Sequence, residues 1–198
     1  MPEQPAASEQ PAVPGAAPGQ ALSAATSTPS VAAAGLRLHV PVPVRWEDLD
    51  AYEHVNNVAM LRILEEARIS AFWRHPGATP AELVPTAVLD SGPEATSHTV
   101  VARQEIEYLR PLTYTRVPVQ VQLWLGAIGG ASIDVCYEVF DGPGARADDD
   151  ESAPGPYVRA LTTVVVVDAV TGNPKRLAQA ERDAWTPYVG PPPAFRRR

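Results

Sequence analysis

Between Arg45 and Arg68 the chain reads RWEDLDAYEHVNNVAMLRILEEAR, and two carboxylates, an imidazole and two carboxamides fall close enough together to share one site. Asp48 and Asp50 have the chemistry of a general base or a nucleophile toward an acyl group, and His54 that of a group orienting water or a carbonyl. Asn56 and Asn57 can hold a loop or bind a carbonyl oxygen. The block is too polar for core and too short for a solvated charge run. It opens directly into an amphipathic segment, and the start of a helix carries backbone N–H groups without intrahelical partners, which hold anions and polarise carbonyls. A base beside such an end is placed to attack an acyl carbon.

Each of these residues also has a structural use. Asp48 and Asp50 can cap the loop, and Asn56 and Asn57 are favoured helix N-caps. Glu66, a further acid on the helix, has Arg62 one turn earlier as an ion-pair partner. His54 can equally be a partly buried loop histidine.

The elements that must position this block follow from hydrophobic period. Leu36 to Trp46 alternates, with Leu38, Val40, Val42 and Val44 on one side, and predicts a strand. Pro41 and Pro43 each remove a ladder donor, so one side of that strand is expected to be unpaired. Val58 to Trp73 has a helical period, with Met60, Ile63, Leu64, Ala67 and Ala71 on one face and Arg62, Glu65 and Ile69 on the other. The helix should stop near His75, Pro76 and Gly77, ahead of a turn-rich connecting loop or lid from Ala78 to Ser97. Strands are expected at His98–Leu109, Val117–Leu125, Ser132–Phe140 and Tyr157–Asp168. The first should place Val100, Ala102, Gln104, Ile106 and Tyr108 on one face, and the last, apolar on both faces, should be central. Lys175 to Tyr188 reads as a short helix packed through Leu177, Ala180 and Trp185. One helix followed by long antiparallel strands is an α+β architecture, a sheet wrapped around a single helix. That helix covers only one face, so a second copy of the chain is expected to cover what remains.

Composition sets the limits. With 198 residues, 45% of them hydrophobic, the chain can bury one core. Residues 1–35 are rich in Ala and Pro, contain no aromatic residue, and are expected to be a disordered tail. The domain is then expected over residues 36–190, with an acidic flexible loop at 141–156 and a disordered basic tail at 191–198. The N-terminal segment has neither the basic start and apolar run of a secretory signal nor the arginines of a transit peptide, which favours the cytoplasm. One cysteine, Cys136, leaves no disulfide or thiol cluster, and the four histidines are too scattered for a helical metal pair, so no metal is expected. A net charge of −7 disfavours nucleic acid, and no apolar run is long enough to span a membrane.

The D-x-D, H-V-N-N and L-E-E-A-R blocks, followed by V-A-R-Q-E-I-E-Y-L-R-P-L and I-G-G-A-S in that order, resemble hotdog-fold acyl-CoA thioesterases of the 4-hydroxybenzoyl-CoA thioesterase type, over about residues 36 to 190. The resemblance implies a hotdog fold: a long central helix wrapped by an antiparallel sheet, paired into a homodimer with sites at the subunit interface and often into a homotetramer. It implies hydrolysis of an acyl thioester of coenzyme A, or less often of acyl carrier protein, without a cofactor. Asp50 matches the catalytic carboxylate, His54 would orient the thioester or water, and Glu66 aligns with an acid used in another branch of the superfamily, here secondary. Asn56, Asn57 and Val58 would contact substrate, with backbone N–H groups from Val55 to Val58 facing the developing oxyanion. Two positions depart from the family: Glu53 stands where glycine is usual, and Met60 where an aromatic is usual. The alternative is a noncatalytic hotdog module that binds acyl thioesters as a sensor or scaffold.

Overall fold

The computed structural model describes residues 35–74, 84–142 and 154–196. The expectations for the tail at residues 1–34, the segment 75–83, most of the acidic loop (143–153) and the last two arginines fall outside the described residues.

Five strands form one antiparallel sheet: β1 Leu38–Val42, β2 Ser97–Tyr108, β3 Val119–Ile128, β4 Ser132–Phe140 and β5 Val158–Asp168. Their order across the sheet is β1-β3-β4-β5-β2, so β1 and β2 are the edges and β5 is internal, as its apolar faces required. Pro41 lies opposite Gln120 on an edge strand whose other side has no described strand partner, where its missing donor costs nothing.

Helix α1, Asn57–Phe72, follows β1 through a 3-10 turn at Trp46–Asp48 and packs on one face of the sheet. Met60, Ile63, Leu64, Ala67, Ala71 and Phe72 are all buried, meeting Val119, Val121, Leu123 and Val135 in the core. Met60, Ile63, Leu64 and Phe72 each contribute roughly 1.5–3 kcal/mol of burial, which is ample to hold a 16-residue helix against the sheet. The chain then crosses the end of α1, where Thr86 donates to the Ala71 carbonyl at 2.6 Å and Leu89 pairs beside Trp73. The family-like hotdog architecture, a helix wrapped by an antiparallel sheet, is therefore what the chain adopts.

Two expected faces are corrected. A bulge at Ala102 shifts the β2 register between Val101 and Arg103, so Val101 shares the helix-facing side with Gln104, Ile106 and Tyr108, while Val100 lies on the other. Unbroken alternation does not survive one extra residue. At the C-terminus, α2 spans Gln179–Trp185 and runs into a 3-10 turn at Thr186–Tyr188. Leu177 and Trp185 are buried as expected, but Ala180 is exposed, because five residues of helix place it about 140° around the axis from Trp185. Trp185 is fully enclosed, edge-on to Phe72 at 5.9 Å, with its indole N–H donating to the Thr86 carbonyl at 2.9 Å. Among the described residues no helix is long and apolar enough to cross a membrane.

Candidate active site

The turn between β1 and α1 is built by its two aspartates, which do different work. Asp48 is 3% exposed, and its carboxylate receives the Arg45 backbone N–H at 2.7 Å and Arg62 Nη2 at 2.7 Å on both oxygens. Its own carbonyl accepts the Asn56 N–H at 2.8 Å. Burial pulls this carboxyl upward, but the Arg45 amide and the Arg62 guanidinium outweigh it and hold Asp48 below the ordinary carboxylate range. Asp48 thus clasps the end of the strand to the second turn of the helix.

Asp50, half-buried, organises the loop that follows. Its Oδ1 accepts the backbone N–H of Tyr52 at 2.8 Å and of His54 at 3.1 Å, while its own N–H donates to the His54 carbonyl at 2.8 Å. Closing so tight a turn forces Glu53 to φ +61°, left-handed backbone that a side chain disfavours. That is the position where the resembling family has glycine. Among the described residues no donor reaches Asp50 Oδ2, and Asp50 lines a cavity of about 350 Å³.

The same cavity is lined by His54, Asn57, Tyr108 and Arg110, with Met60 and Leu112 supplying apolar wall. His54 is fixed through its backbone, bridged to Thr113. Val55 and Asn56 donate their N–H groups to the Leu112 and Asp48 carbonyls at 2.7 and 2.8 Å, and the Val58 N–H is taken by Asn56 Oδ1 at 2.8 Å. This leaves the Asn57 N–H, at the first helical position, as the donor in that segment with no described acceptor. Tyr108 Oη donates to the Asn57 carbonyl at 3.4 Å, and burial raises its phenol above the ordinary range.

Asp50, His54 and Asn57 are therefore brought together in one cavity. Asn56 acts as the N-cap. Val58 is 74% exposed and faces a neighbouring hollow. Glu66 stays outside the cavity and pairs with Arg62, the i, i+4 partner its spacing gave it. Tyr108 and Arg110 are polar lining residues outside the expected set; the sequence placed Tyr108 on a strand face, and an arginine at a strand end is too ordinary to signal a site. Arg110 is held over the Tyr157 ring at 3.3 Å and donates to Asp141 at 2.9 Å. Among the described residues no group of three or more His, Cys, Asp or Glu is clustered for a metal ion. What the cavity brings together is an aspartate, a histidine and the first residue of a helix, around a common space.

Comparison with known proteins places the chain in a family. A family model described as the thioesterase-like superfamily matches residues 44–187. A thioesterase from Thermus thermophilus, solved with coenzyme A and Zn, is 28% identical with a TM-score of 0.53, covering 78% of this chain and 95% of that one. A Pseudomonas aeruginosa protein superposes with a TM-score of 0.60 at 19% identity, covering 81% of this chain and 96% of its own. A 1,4-dihydroxy-2-naphthoyl-CoA thioesterase from Synechocystis shares the fold at a TM-score of 0.53 and 16% identity, covering 76% and 96%. No curated protein sequence matches. With the family match spanning most of its length, the chain belongs to the thioesterase-like superfamily, as a hotdog-fold thioester hydrolase.

Proposed function

We propose that the protein hydrolyses an acyl-CoA with Asp50 as the reacting carboxylate, in a domain spanning residues 36–190 that works as a homodimer. The observation that carries this reading is the division of Asp50: Oδ1 is anchored by two backbone N–H groups, Oδ2 has no donor among the described residues, and Asp50 lines one cavity with His54 and Asn57.

Acting as a base, Asp50 takes a proton from water as the water oxygen bonds to the thioester carbon. The carbonyl oxygen, now an oxyanion, sits against the Asn57 N–H, a contact of the kind that contributes about 3 kcal/mol in other acyl-transfer sites. Collapse re-forms the C=O bond, breaks C–S, and the proton held by Asp50 passes to the departing thiolate. Acting instead as a nucleophile, the carboxylate would displace the thiolate to form an anhydride that water then opens. Both routes give free acid and thiol. His54 orients water or the thioester, Tyr108 holds the helix start through the Asn57 carbonyl, and the coenzyme A bound to the Thermus thermophilus thioesterase supports coenzyme A as carrier. The β2 edge, which has no further strand partner among the described residues and ends beside the cavity, supports a partner subunit completing the wall.

The test is thiol release from short, long and aromatic acyl-CoAs by wild type and Asp50→Asn, both shown to be folded and of equal oligomeric state. A loss in kcat of roughly 10²–10⁴-fold in the variant is expected. Equal turnover in both would remove Asp50 from the reaction. No turnover by wild type, with acyl-CoA still bound, would favour the sensor or scaffold reading.

A further inference from the structure

Beside its polar residues the Asp50 cavity has an apolar floor, made by Val55, Met60, Leu112 and Val158. These four come from separate places in the fold: the turn, helix α1, the segment after β2, and the first residue of β5. They are 8%, 2%, 4% and 1% exposed, so almost nothing of them shows except to the cavity. Strand register explains Val158, which lies opposite both Tyr108 and the fully buried Val139. All four belong to the same hydrophobic core that packs α1 on the sheet.

Met60 stands where this floor meets the packed interior. A helical side chain leans back over the turn before it, which carries Met60 toward Asn57, three residues earlier on the same face. The next residues along the buried face are Ile63 and Leu64, both 0% exposed. A chain entering from the Asp50 side therefore reaches Met60 before it reaches solid core.

The floor decides which end of a thioester can face inward. Coenzyme A carries phosphates and amides, which would be costly to bury against four apolar side chains. The cavity, at about 350 Å³, is also near the lower end of the roughly 300–1,000 Å³ typical of small-molecule sites. The carrier must then leave through the opening, and the acyl part is what projects onto the floor. Burial there strengthens binding about fourfold for each methylene, until the chain meets a side chain that cannot yield.

We propose that the acyl group is seated on this floor with its end against Met60, so that Met60 sets acyl length and the substrate class is aliphatic acyl groups up to octanoyl. The inference rests on the thioesterase reading above. It does not depend on what covers the opening: the floor residues are buried within their own chain, and a partner subunit completing the wall leaves them in place. The floor can be moved in both directions. Met60→Ala removes three heavy atoms and opens room for about two to three carbons of chain, whereas Met60→Phe adds bulk at the same point.

The test separates binding from hydrolysis. S-alkyl-CoA thioethers from butyl to dodecyl, which hydrolysis cannot consume, are titrated calorimetrically against wild type, Met60→Ala and Met60→Phe. Wild-type affinity is expected to rise about fourfold per methylene and to stop rising by octyl. The stopping length should be about two to three carbons longer in Met60→Ala and shorter in Met60→Phe. A merely loosened fold would weaken every thioether alike and leave the stopping length unmoved. Wild-type affinity that still climbs from octyl to dodecyl overturns the proposal, as does a stopping length common to all three proteins, or no binding of any thioether to wild type. If one variant does not fold, the other decides alone. Failure of the hydrolase reading shows separately, as no thiol release from acyl-CoAs by wild type that still binds the thioethers.

Discussion

Asp48→Asn tests whether the clasp between strand and helix is what holds the turn that carries Asp50. The carboxylate receives two strong contacts at 2.7 Å, from the Arg45 amide and from Arg62, with a weaker one from Arg45 Nη2 at 3.3 Å. A hydrogen bond to a charged group contributes about 1.5–3 kcal/mol, so losing both strong contacts would cost about 3–6 kcal/mol. Asparagine restores one acceptor, but its NH₂ then faces Arg62, whose charge falls back on Glu66. The net expectation is a loss of about 3 kcal/mol, a fall in Tm of roughly 6–12 °C for a domain of this size. The pH dependence has a definite sign. Because the folded protein holds Asp48 below its ordinary value, its stabilisation is complete above the unfolded carboxylate range and is lost as pH falls through the folded value. The Tm gap between wild type and Asp48→Asn should therefore be constant near neutrality and shrink below about pH 4. Thermal unfolding across pH is the assay. A gap under about 1 kcal/mol at pH 7, or one that widens on acidification, would refute the clasp.

Two further perturbations probe the turn and the sheet. Glu53→Gly removes a side chain from left-handed backbone at φ +61°, which costs about 1–2 kcal/mol, against an unfolded-state entropy penalty of about 0.4–1 kcal/mol for glycine. A gain of up to about 1 kcal/mol in chemical denaturation is expected, and a clear loss would mean the Glu53 side chain has a role beyond filling the position. Cys136 is fully buried, and burial, helped by the nearby Asp134 charge, pushes its thiol up to about 12. It should resist thiol reagents in the native protein and react in one step with unfolding; fast native labelling would contradict the enclosed position.

The sequence was legible where a single period ruled. The buried face of α1 holds Met60, Ile63, Leu64, Ala67 and Ala71, the set its 3.6-residue period predicts, and β4 keeps its predicted limits, Ser132–Phe140. The period misled where geometry added one residue, as at Ala102, or where a helix was too short for its phase to be fixed, as at Ala180. In the site, Asp50, His54 and Asn57 are adjacent in sequence and fall in one cavity, whereas Tyr108 and Arg110 reach it only because β2 runs back along α1. Which amide remained available was also beyond pattern reading. Val55, Asn56 and Val58 are occupied by partners as far away as Leu112, and only the folded chain decides that Asn57 has none among the described residues.

The D-x-D spacing itself now has a physical reading. Asp48 ends a 3-10 turn and points inward to Arg62, and the next residue, Leu49, pairs across the loop with Val55. Two residues on, in extended backbone, the side chain of Asp50 starts a tight turn around its own Oδ1. One acid is spent on architecture against the Arg62 guanidinium; the other lines the cavity wall. Arg62 is held between Asp48 and Glu66 and does not line the Asp50 cavity, so the strong cation of this turn is committed to the first carboxylate and not to the second.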